Sequence, residues 1–299
     1  MRWLVVLDPI DGLKSRTDTS LAVINKAREK DIEVDTATIE KLYFEVQASV
    51  VATNSTGNQR PVLLNDYDLI FMRKEPPYDL NFHYATQLLS LSETLVLNDP
   101  SCLRDFNEKL IVLPFSKHMP PTLVSSDLQV IEHFMSQYDQ VVIKSLDSFQ
   151  GKSVQKIGKN DQGIVAAFTE DGTKPVMVQK FLKEVFAGDK RVITLGDQVL
   201  GAAMRRPKQG YHANFASSDA LQTGLTEKEQ AIMTEVVPWM VEQGIHFAGL
   251  DFIGEFLTEI NITCPTGIVQ ISELDGRDLA GEIVDYFVQL VQQSSPGIN

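Results

Sequence analysis

Short apolar runs and amphipathic segments alternate along the first hundred residues. Residues 3–8 form an apolar run that ends in Asp-Pro, and residues 20–30 place Leu21, Ile24 and Ala27 on one helical face. The alternation continues with strand-like segments 33–39, 68–72 and 94–97 and a helix-like segment 82–91. Because strands that alternate with helices usually build parallel sheets, this order predicts a Rossmann-like N-terminal domain.

The pattern changes after Lys109. The tetrapeptide Met119-Pro120-Pro121-Thr122 is typical of a connector, and beyond it lie a helix-like segment 128–138 and a strand-like segment 140–144. The polar stretch 53–60, in the first unit, has the composition of a surface loop. We therefore expect a second α/β unit, with the domain boundary between residues 117 and 118.

One helix of the second unit has clear ends. Thr226 and Glu229 have the spacing of a capping box, in which the Thr oxygen accepts from the Glu backbone N–H while the Glu carboxylate reaches back. Apolar residues at helical spacing continue to Gln243, and Gly244 ends the helix. We expect this helix to cover a sheet as scaffold.

A hairpin near the C-terminus carries acids inside apolar runs. Residues 249–254 and 256–261 read as two strands around a glycine turn. Glu259 and Asn261 are two residues apart, so they project from the same face and offer oxygens suited to Mg²⁺. Asp251 joins that face only if the connection is odd in length or bulged near Gly254, because a two-residue turn sends it to the other side. The alternative is a half-solvated hairpin with exposed acids.

Composition narrows the classes of function. The 299 residues are 43% hydrophobic and 22% charged, which is enough apolar material for two cores. A formal net charge of −13 disfavours nucleic acid as the main partner. No apolar run suits a membrane span or a secretion signal, and Cys102 and Cys264 are too few for a disulfide framework or a zinc site. We expect a cytoplasmic protein that binds neither nucleic acid nor membrane.

Further motifs stand at wide intervals along the chain. They are 250–254 with 257–266, Met72-Arg73-Lys74-Glu75-Pro76-Pro77-Tyr78-Asp79, Asn98-Asp99-Pro100 with 104–110, and Gly188-Asp189-Lys190-Arg191-Val192. Together they resemble the bacterial glutathione synthetases, which are ATP-grasp enzymes. The resemblance begins at Leu7-Asp8-Pro9-Ile10, extends to Pro265-Thr266, and thins between Gly210 and Thr226.

The resemblance implies a fold class and a division of the chain. It implies an α/β protein in which an N-terminal Rossmann-like pre-ATP-grasp domain, residues 1–117, holds the peptide substrate. An ATP-grasp domain, residues 118–299, would follow, with two α+β subdomains that clamp ATP. These would be a small lid subdomain, 118–184, and a metal-binding subdomain, 185–299. Members of the family are commonly oligomers, and Leu88, Leu89 and Leu91 are candidates for the interface of a homo-oligomer.

The resemblance also implies which residues bind nucleotide and metal. Lys109 and Lys144 would contact the ATP phosphates, a role that suits amines beside polyphosphate. A magnesium ion, with Mn²⁺ as the alternative, would be held by Asp251, Glu259 and Asn261. The other nucleotide-binding positions would be the loop residue Gly151, the hinge-strand residues Gln179, Phe181 and Leu182, and Asp189 near the ribose.

Two arginines are the implied catalytic residues. Arg191 and Arg205 would face the phosphates and the acyl phosphate, a task for a planar and permanently charged fork. An ion pair with a neighbouring acid is the alternative for either residue. With this machinery, a substrate carboxylate would attack the γ-phosphate of ATP, and an amine would displace phosphate from the resulting acyl phosphate.

The substrates implied by the resemblance are γ-glutamylcysteine, glycine and ATP. Asp8, Ser20 and Arg73 would hold the peptide, and the remaining implied substrate positions are Asn214, Pro265 and Thr266. Asp18 to Ser20 could equally be the N-cap of a helix. Cys264 stands where the family usually has Ser, and we expect a buried thiol without a role in the reaction.

Two loops depart from the family pattern. The phosphate-covering loop, here 147–154, keeps a single glycine, and the segment 215–222 lacks the glycine and arginine of the family's closing loop. These departures leave a second hypothesis open beside the ligase, which is an ATP-grasp protein with reduced or no catalysis that binds nucleotide or peptide as a regulatory subunit.

Overall fold

The computed structural model describes residues 1–147, 154–215 and 217–294. The strands are β1 (Arg2–Leu7), β2 (Glu33–Ala37), β3 (Leu42–Phe44), β4 (Ala48–Thr53), β5 (Gln59–Leu63), β6 (Leu69–Arg73), β7 (Leu95–Leu97), β8 (Thr122–Ser125), β9 (Val141–Ser145), β10 (Val154–Ile157), β11 (Val176–Lys180), β12 (Asp189–Leu195), β13 (Gln198–Pro207), β14 (Ser218–Gln222), β15 (Phe247–Ile253) and β16 (Phe256–Asn261). The helices are α1 (Thr19–Glu29), α2 (Leu80–Leu89), α3 (Pro100–Asp105), α4 (Leu128–Ser136), α5 (Gln162–Phe168), α6 (Glu227–Glu242), α7 (Ile268–Asp275) and α8 (Leu279–Ser294). Among these residues, no helix is both long enough and apolar enough to cross a lipid bilayer.

The first sheet has the strand order β3-β4-β2-β1-β6-β7, with β5 also paired to β4. Its centre is parallel, because β1 pairs in parallel with β2 and β6, and β6 with β7. The predicted Rossmann-like arrangement is therefore confirmed. The loop predicted for 53–60 is wrong in part, since β4 and β5 form an antiparallel hairpin around residues 54–58. Strand β5 is mostly exposed, so its sequence carries little of the apolar alternation that reveals a strand.

The second sheet is small and has a core of its own. Its order is β10-β9-β11-β8, with every pair antiparallel. Helices α4 and α5 bury Ile131, Met135 and Val165 against Ile143 and Val178 of the sheet. This small sheet is thus a packing unit that shares no buried cluster with the rest of the described chain.

The third sheet, with the order β14-β13-β12-β15-β16, is packed tightly against the first. Phe71 of the first sheet, Phe247 of β15 and Phe287 of α8 belong to one buried cluster, and Phe71 makes edge contacts with both other rings. Helix α6 begins at the predicted capping box, in which both reciprocal hydrogen bonds of Thr226 and Glu229 are present. The first and third sheets consequently form one packed unit, which we call the main body. The small sheet lies beside it.

One expectation about the surface needs correction. Leu89 was a candidate for an interface between copies of the chain, but it is completely buried in the core beneath α2. Leu88 packs against the same core, whereas Leu91 is exposed. Helical spacing explains the difference, because Leu89 lies one turn from Ala85 on the inward face of the helix.

Asn98 connects the first and third sheets. Its side-chain nitrogen donates to the carbonyl oxygens of Phe247 at 2.8 Å and Ile262 at 2.7 Å. Its side-chain oxygen accepts from the backbone N–H groups of His246 at 2.9 Å and Phe247 at 2.8 Å. All four backbone partners belong to the strands and loop that carry the candidate site, so this amide fixes the site to the N-terminal domain.

We expect Asn98→Ala to lower the free energy of unfolding by about 3 kcal/mol, because it leaves buried backbone donors and acceptors without partners. Urea denaturation followed by circular dichroism measures the change. Asn58→Ala is the control, since Asn58 lies in the exposed β4–β5 turn, where its side-chain nitrogen donates to the Thr56 hydroxyl at 3.1 Å. Equal stabilities of the two variants would contradict the role given to Asn98.

Candidate active site

The β15–β16 hairpin places three oxygen-bearing side chains on one face. Gly254 and Glu255 form the turn, yet Asp251 lies opposite Glu259 because the register shifts by one residue between Asp251 and Phe252. The extra residue is Thr258, whose hydroxyl donates to the carbonyl oxygen of Asp251 at 3.0 Å. Residues directly opposite in a sheet project to the same side. Of the two conditions that would bring Asp251 to this face, the structure has the bulge, and Asp251 shares a face with Glu259 and Asn261.

The same face continues across β12 and β13. Arg191 lies opposite Asp251, and Arg205 lies opposite Asp189, in the registers of the neighbouring strand pairs. Asp189 and Arg191 are two residues apart on β12, so both point the same way. Gly249 makes room for this row, because a Cβ there would lie 3.0 Å from the Arg191 side chain.

The two arginines and two aspartates form a buried ion-pair cluster. Arg191 donates from Nε and Nη2 to the two carboxylate oxygens of Asp251, at 2.5 and 2.8 Å. Arg205 makes the same fork with Asp189, at 2.6 and 2.7 Å, and its Nη2 is also 3.0 Å from Asp251 Oδ2. All four side chains are buried. Both arginines are therefore paired with neighbouring acids in this structure, as the alternative interpretation of these residues predicted.

Burial and charge act in opposite directions on the two aspartates. Burial raises the pKa of Asp189 to about 6, although Arg205 works against that shift. Burial also favours the neutral form of Asp251, but Arg191 and Arg205 together hold the pKa of Asp251 at about 2. Asp251 is thus a carboxylate throughout the physiological range, and its charge balances the guanidinium groups.

Two lysines approach this face from other elements. Lys109 is buried, and its Nζ lies 3.8 Å from Glu259 Oε1. Lys144 belongs to β9 of the small sheet, and burial lowers the pKa of its amine. An anionic ligand between these amines would restore the preference of Lys144 for its charged form. Asn107 helps to hold the two segments together by donating to the carbonyl oxygen of Leu146 at 2.8 Å.

Sequence reasoning missed Glu108 as part of the site. Its Oε1 accepts three hydrogen bonds from residues 262 and 263, namely from both backbone N–H groups and the Thr263 hydroxyl, at 2.8 to 2.9 Å. Burial raises the pKa of this carboxyl group. Glu108 thereby fixes the loop after β16 beside Lys109. An acid directly before a predicted phosphate-binding lysine was the available signal.

In the part of the chain that the structure describes, a large cleft runs between the small sheet and the main body. The enclosed cavity measures about 240 Å³, and the cleft with its open mouth contains about 1450 Å³ of empty space. The predicted residues that line it are Lys109, Lys144, Gln179, Phe181, Leu182, Asp189, Arg191, Arg205, Asn214, Asp251, Glu259, Asn261 and Thr266.

Five predicted residues are not among those that line the cleft. Gly151 is outside the described residues. Four others lie behind a wall of the cleft, namely Asp8, Ser20, Arg73 and Pro265. The neighbouring residues Glu75 and Cys264 form the surface of that wall. Asp8 accepts from the backbone N–H of Glu75 at 2.8 Å, which connects this group to the cleft.

Arg73 organises the wall between the two domains. It is 1% exposed, donates from Nε to the Ser20 hydroxyl at 2.9 Å, and donates from Nη2 to the carbonyl oxygen of Pro265 at 2.9 Å. Asp18 caps α1 by accepting from the backbone N–H of Leu21 at 2.8 Å. Asp18 is therefore an N-cap, as one interpretation of segment 18–20 predicted, and Ser20 contacts Arg73.

The donor set on the hairpin suits a hard cation. Glu259 is partly exposed, and Asn261 uses its side-chain nitrogen to donate to the Gly249 carbonyl oxygen at 3.1 Å, so its amide oxygen is the atom available to an ion. Within the described ranges, no three His, Cys, Asp or Glu side chains converge on one point. Magnesium in nucleotide sites typically takes one or two protein carboxylates together with phosphate oxygens. The arrangement fits an ion that binds together with a nucleotide.

Comparison with known proteins agrees with this geometry. Residues 1–104 match the model of the prokaryotic glutathione synthetase N-terminal domain, and residues 108–276 match that of the prokaryotic glutathione synthetase ATP-grasp domain. The glutathione synthetase of Prochlorococcus marinus (strain MIT 9313) is 38% identical over 95% of this chain and 97% of its own length. The glutathione synthetase of Gloeobacter violaceus is 36% identical over 97% of each chain.

Solved structures extend the comparison to the fold. The D-cycloserine synthetase DcsG superposes with a TM-score of 0.72 at 14% identity, over 98% of this chain and all of that one. The ATP-grasp ligase PsnB, complexed with a minimal precursor, superposes with a TM-score of 0.68 at 16% identity, over 96% and 98% of the two chains. The fold is that of ATP-grasp ligases, and the chain belongs to the prokaryotic glutathione synthetase family.

Proposed function

We propose that this protein is an ATP-dependent carboxylate–amine ligase that joins γ-glutamylcysteine to glycine and releases ADP and phosphate. The observation that carries the proposal is the convergence of two lysines, two arginines and the Glu259–Asn261 pair in one cleft. The family to which the chain belongs supports the same reaction. The regulatory alternative is motivated by the altered loops alone, whereas Lys109, Lys144, Arg191 and Arg205 all line the cleft.

Each group has a role that follows from its chemistry. Lys109 and Lys144 would hold the phosphates as point charges, and Arg191 and Arg205 would stabilise charge that develops on the transferred phosphoryl group. We propose that Glu259 and Asn261 hold Mg²⁺, with Asp251 beside them and Mn²⁺ as a substitute. The ion would neutralise part of the negative charge on the phosphate oxygens.

The reaction needs no nucleophile from the protein. A carboxylate oxygen of the peptide forms a bond to the γ-phosphorus while the bond to the ADP oxygen breaks. The amine of glycine then attacks the acyl carbon, phosphate leaves, and the amine loses a proton. The contribution of the chain is positioning, charge stabilisation and exclusion of water from the acyl phosphate.

The substrates would occupy different ends of the cleft. We propose that adenine packs near Phe181 and Leu182, which follow β11, with Asp189 toward the ribose and Gly151 in the loop over the phosphates. The peptide would be held at the wall between the two domains by Asp8, Ser20 and Arg73. The acceptor would be surrounded by Asn214, Pro265 and Thr266. Arg191 donates to the Thr266 carbonyl oxygen at 3.3 Å, so the acceptor loop and the catalytic arginine are in contact.

We retain three wider expectations as proposals. The domain boundaries at 117/118 and 184/185 agree with the division into three sheets. A homo-oligomer remains an expectation, to which exposed Leu91 is suited. Because the reaction uses ATP and a free thiol peptide, we expect it to take place in the reducing cytoplasm.

We expect phosphate release from ATP to depend on both γ-glutamylcysteine and glycine. A coupled phosphate assay with each substrate omitted in turn measures this dependence, and mass spectrometry identifies the tripeptide. Phosphate release with a different amine would keep the ligase class and change the acceptor. Silence across a panel of acids and amines, in protein that binds nucleotide, would contradict the proposal and support the regulatory alternative.

A further inference from the structure

The segment 208–215, which leaves β13, crosses the cleft to the small sheet. Tyr211 on this segment accepts a hydrogen bond at its hydroxyl from the backbone N–H of Lys156, at 3.0 Å. Lys156 belongs to β10, which is the edge strand of the small sheet. An edge strand has backbone N–H groups without a strand partner, and the Tyr211 hydroxyl satisfies one of them. A side chain of the main body is thereby attached to the small sheet.

Aromatic contacts strengthen this attachment. The Tyr211 ring meets the Phe181 ring edge to face, with centroids 5.9 Å apart and an interplanar angle of 86°. The amine of Lys156 lies 4.6 Å from the centroid of the same Phe181 ring. Tyr211 and Phe181 both line the cleft. The three residues form one cluster, which we call the Tyr211 latch, across the end of the cleft where adenine is proposed to bind.

The small sheet and the main body have separate cores, so the contacts between them determine whether the cleft can open. The small sheet has its own buried core, whereas the other two sheets share theirs, so the small sheet can move as a unit. The cleft lies between these two bodies, with Lys144 on the small sheet and Lys109 on the other side. Opening the cleft at this end requires separation of Tyr211 from Lys156 and Phe181.

We propose that Tyr211 is a positioning residue that holds the small sheet closed over the nucleotide and slows nucleotide release. The inference rests on the proposed function, since it requires a nucleotide in the cleft. Tyr211 acts on the nucleotide through the small sheet. It supplies this attachment next to the segment in which the chain lacks the glycine and arginine of its family's closing loop.

Nucleotide release separates this role from a purely structural one. The probe is Mg²⁺ with a fluorescent ADP that carries an N-methylanthraniloyl group on its ribose, displaced by excess ATP in a stopped-flow instrument. Tyr211→Phe removes the hydroxyl and keeps the ring, and we expect release to become about 3- to 5-fold faster. Tyr211→Ala removes the ring contact too, and we expect an increase of roughly 10- to 30-fold. The midpoint of thermal unfolding should stay close to that of the parent protein.

Lys208→Ala is the matched control, because Lys208 is an exposed residue of the same segment whose amine lies 3.3 Å from Asp219. Its release rate should equal that of the parent protein. Parent-like release from both Tyr211 variants would overturn the latch while leaving the proposed function intact. If the parent protein fails to bind the fluorescent nucleotide, the nucleotide site itself is overturned, which is a separate failure. Tyr211→Phe is conservative enough to test the idea if Tyr211→Ala does not fold.

Discussion

Glu259→Gln is expected to reduce turnover by roughly 100- to 1,000-fold with almost no change in stability. Glutamine keeps the size of the side chain and one acceptor oxygen but removes the charge that a hard cation prefers. The side chain is 27% exposed, and its pairing with Lys109 is loose at 3.8 Å. The free energy of unfolding should therefore change by less than about 1 kcal/mol.

The measurement is phosphate release at saturating peptide and glycine over a range of Mg²⁺ concentrations, with urea denaturation of the same preparations. Glu255→Gln is the control, because Glu255 lies in the turn of the same hairpin and its partner is the surface residue Lys228, at 3.1 Å. We expect the control to retain full turnover. Full turnover of Glu259→Gln would remove the metal-binding role from this residue.

The hairpin illustrates how far the sequence alone could lead. Two apolar runs around a glycine turn predicted both strands of the β15–β16 hairpin, because that signal is local. The condition for Asp251 to join Glu259 could be stated as a register, but the bulge at Thr258 could not be located. A one-residue shift depends on which backbone groups pair, and nothing in the composition of the strand reports that pairing.

The arginine–aspartate cluster shows a different limit. The family resemblance identified Arg191, Arg205, Asp189 and Asp251 as site residues, and all four line the cleft. Their mutual pairing depends on the register of β12 with the next strand, β13, which shifts between Ile193 and Thr194, and on its register with β15, which is distant in sequence. The sequence shows that Asp189 and Arg191 are two residues apart, but it does not show which strands lie beside them. Partners of buried charges are therefore the part of the site that needed the structure.

This pairing changes what is expected from Asp251. As a metal ligand alone, it could be neutralised without harm to the fold. In the structure, however, its carboxylate compensates two buried guanidinium groups, and Arg191 has its fork on that carboxylate. Removing one partner of a buried ion pair leaves a charge that neither water nor protein solvates. Asp251 consequently has a structural role in addition to its proposed place beside the metal.

Asp251→Asn is therefore expected to lower the free energy of unfolding by about 3–5 kcal/mol, in addition to abolishing turnover. Urea denaturation without nucleotide or metal measures the structural part. The second variant, Asp251→Asn with Arg191→Met, removes the charge that the first leaves uncompensated, so it should recover part of the lost stability. Asp219→Asn is the control, because Asp219 pairs with Lys208 at the surface and should change stability by less than about 0.5 kcal/mol. A single Asp251→Asn variant as stable as this control would show that the guanidinium groups find other compensation, and no recovery in the double variant would exclude Arg191 as the group that Asp251 balances.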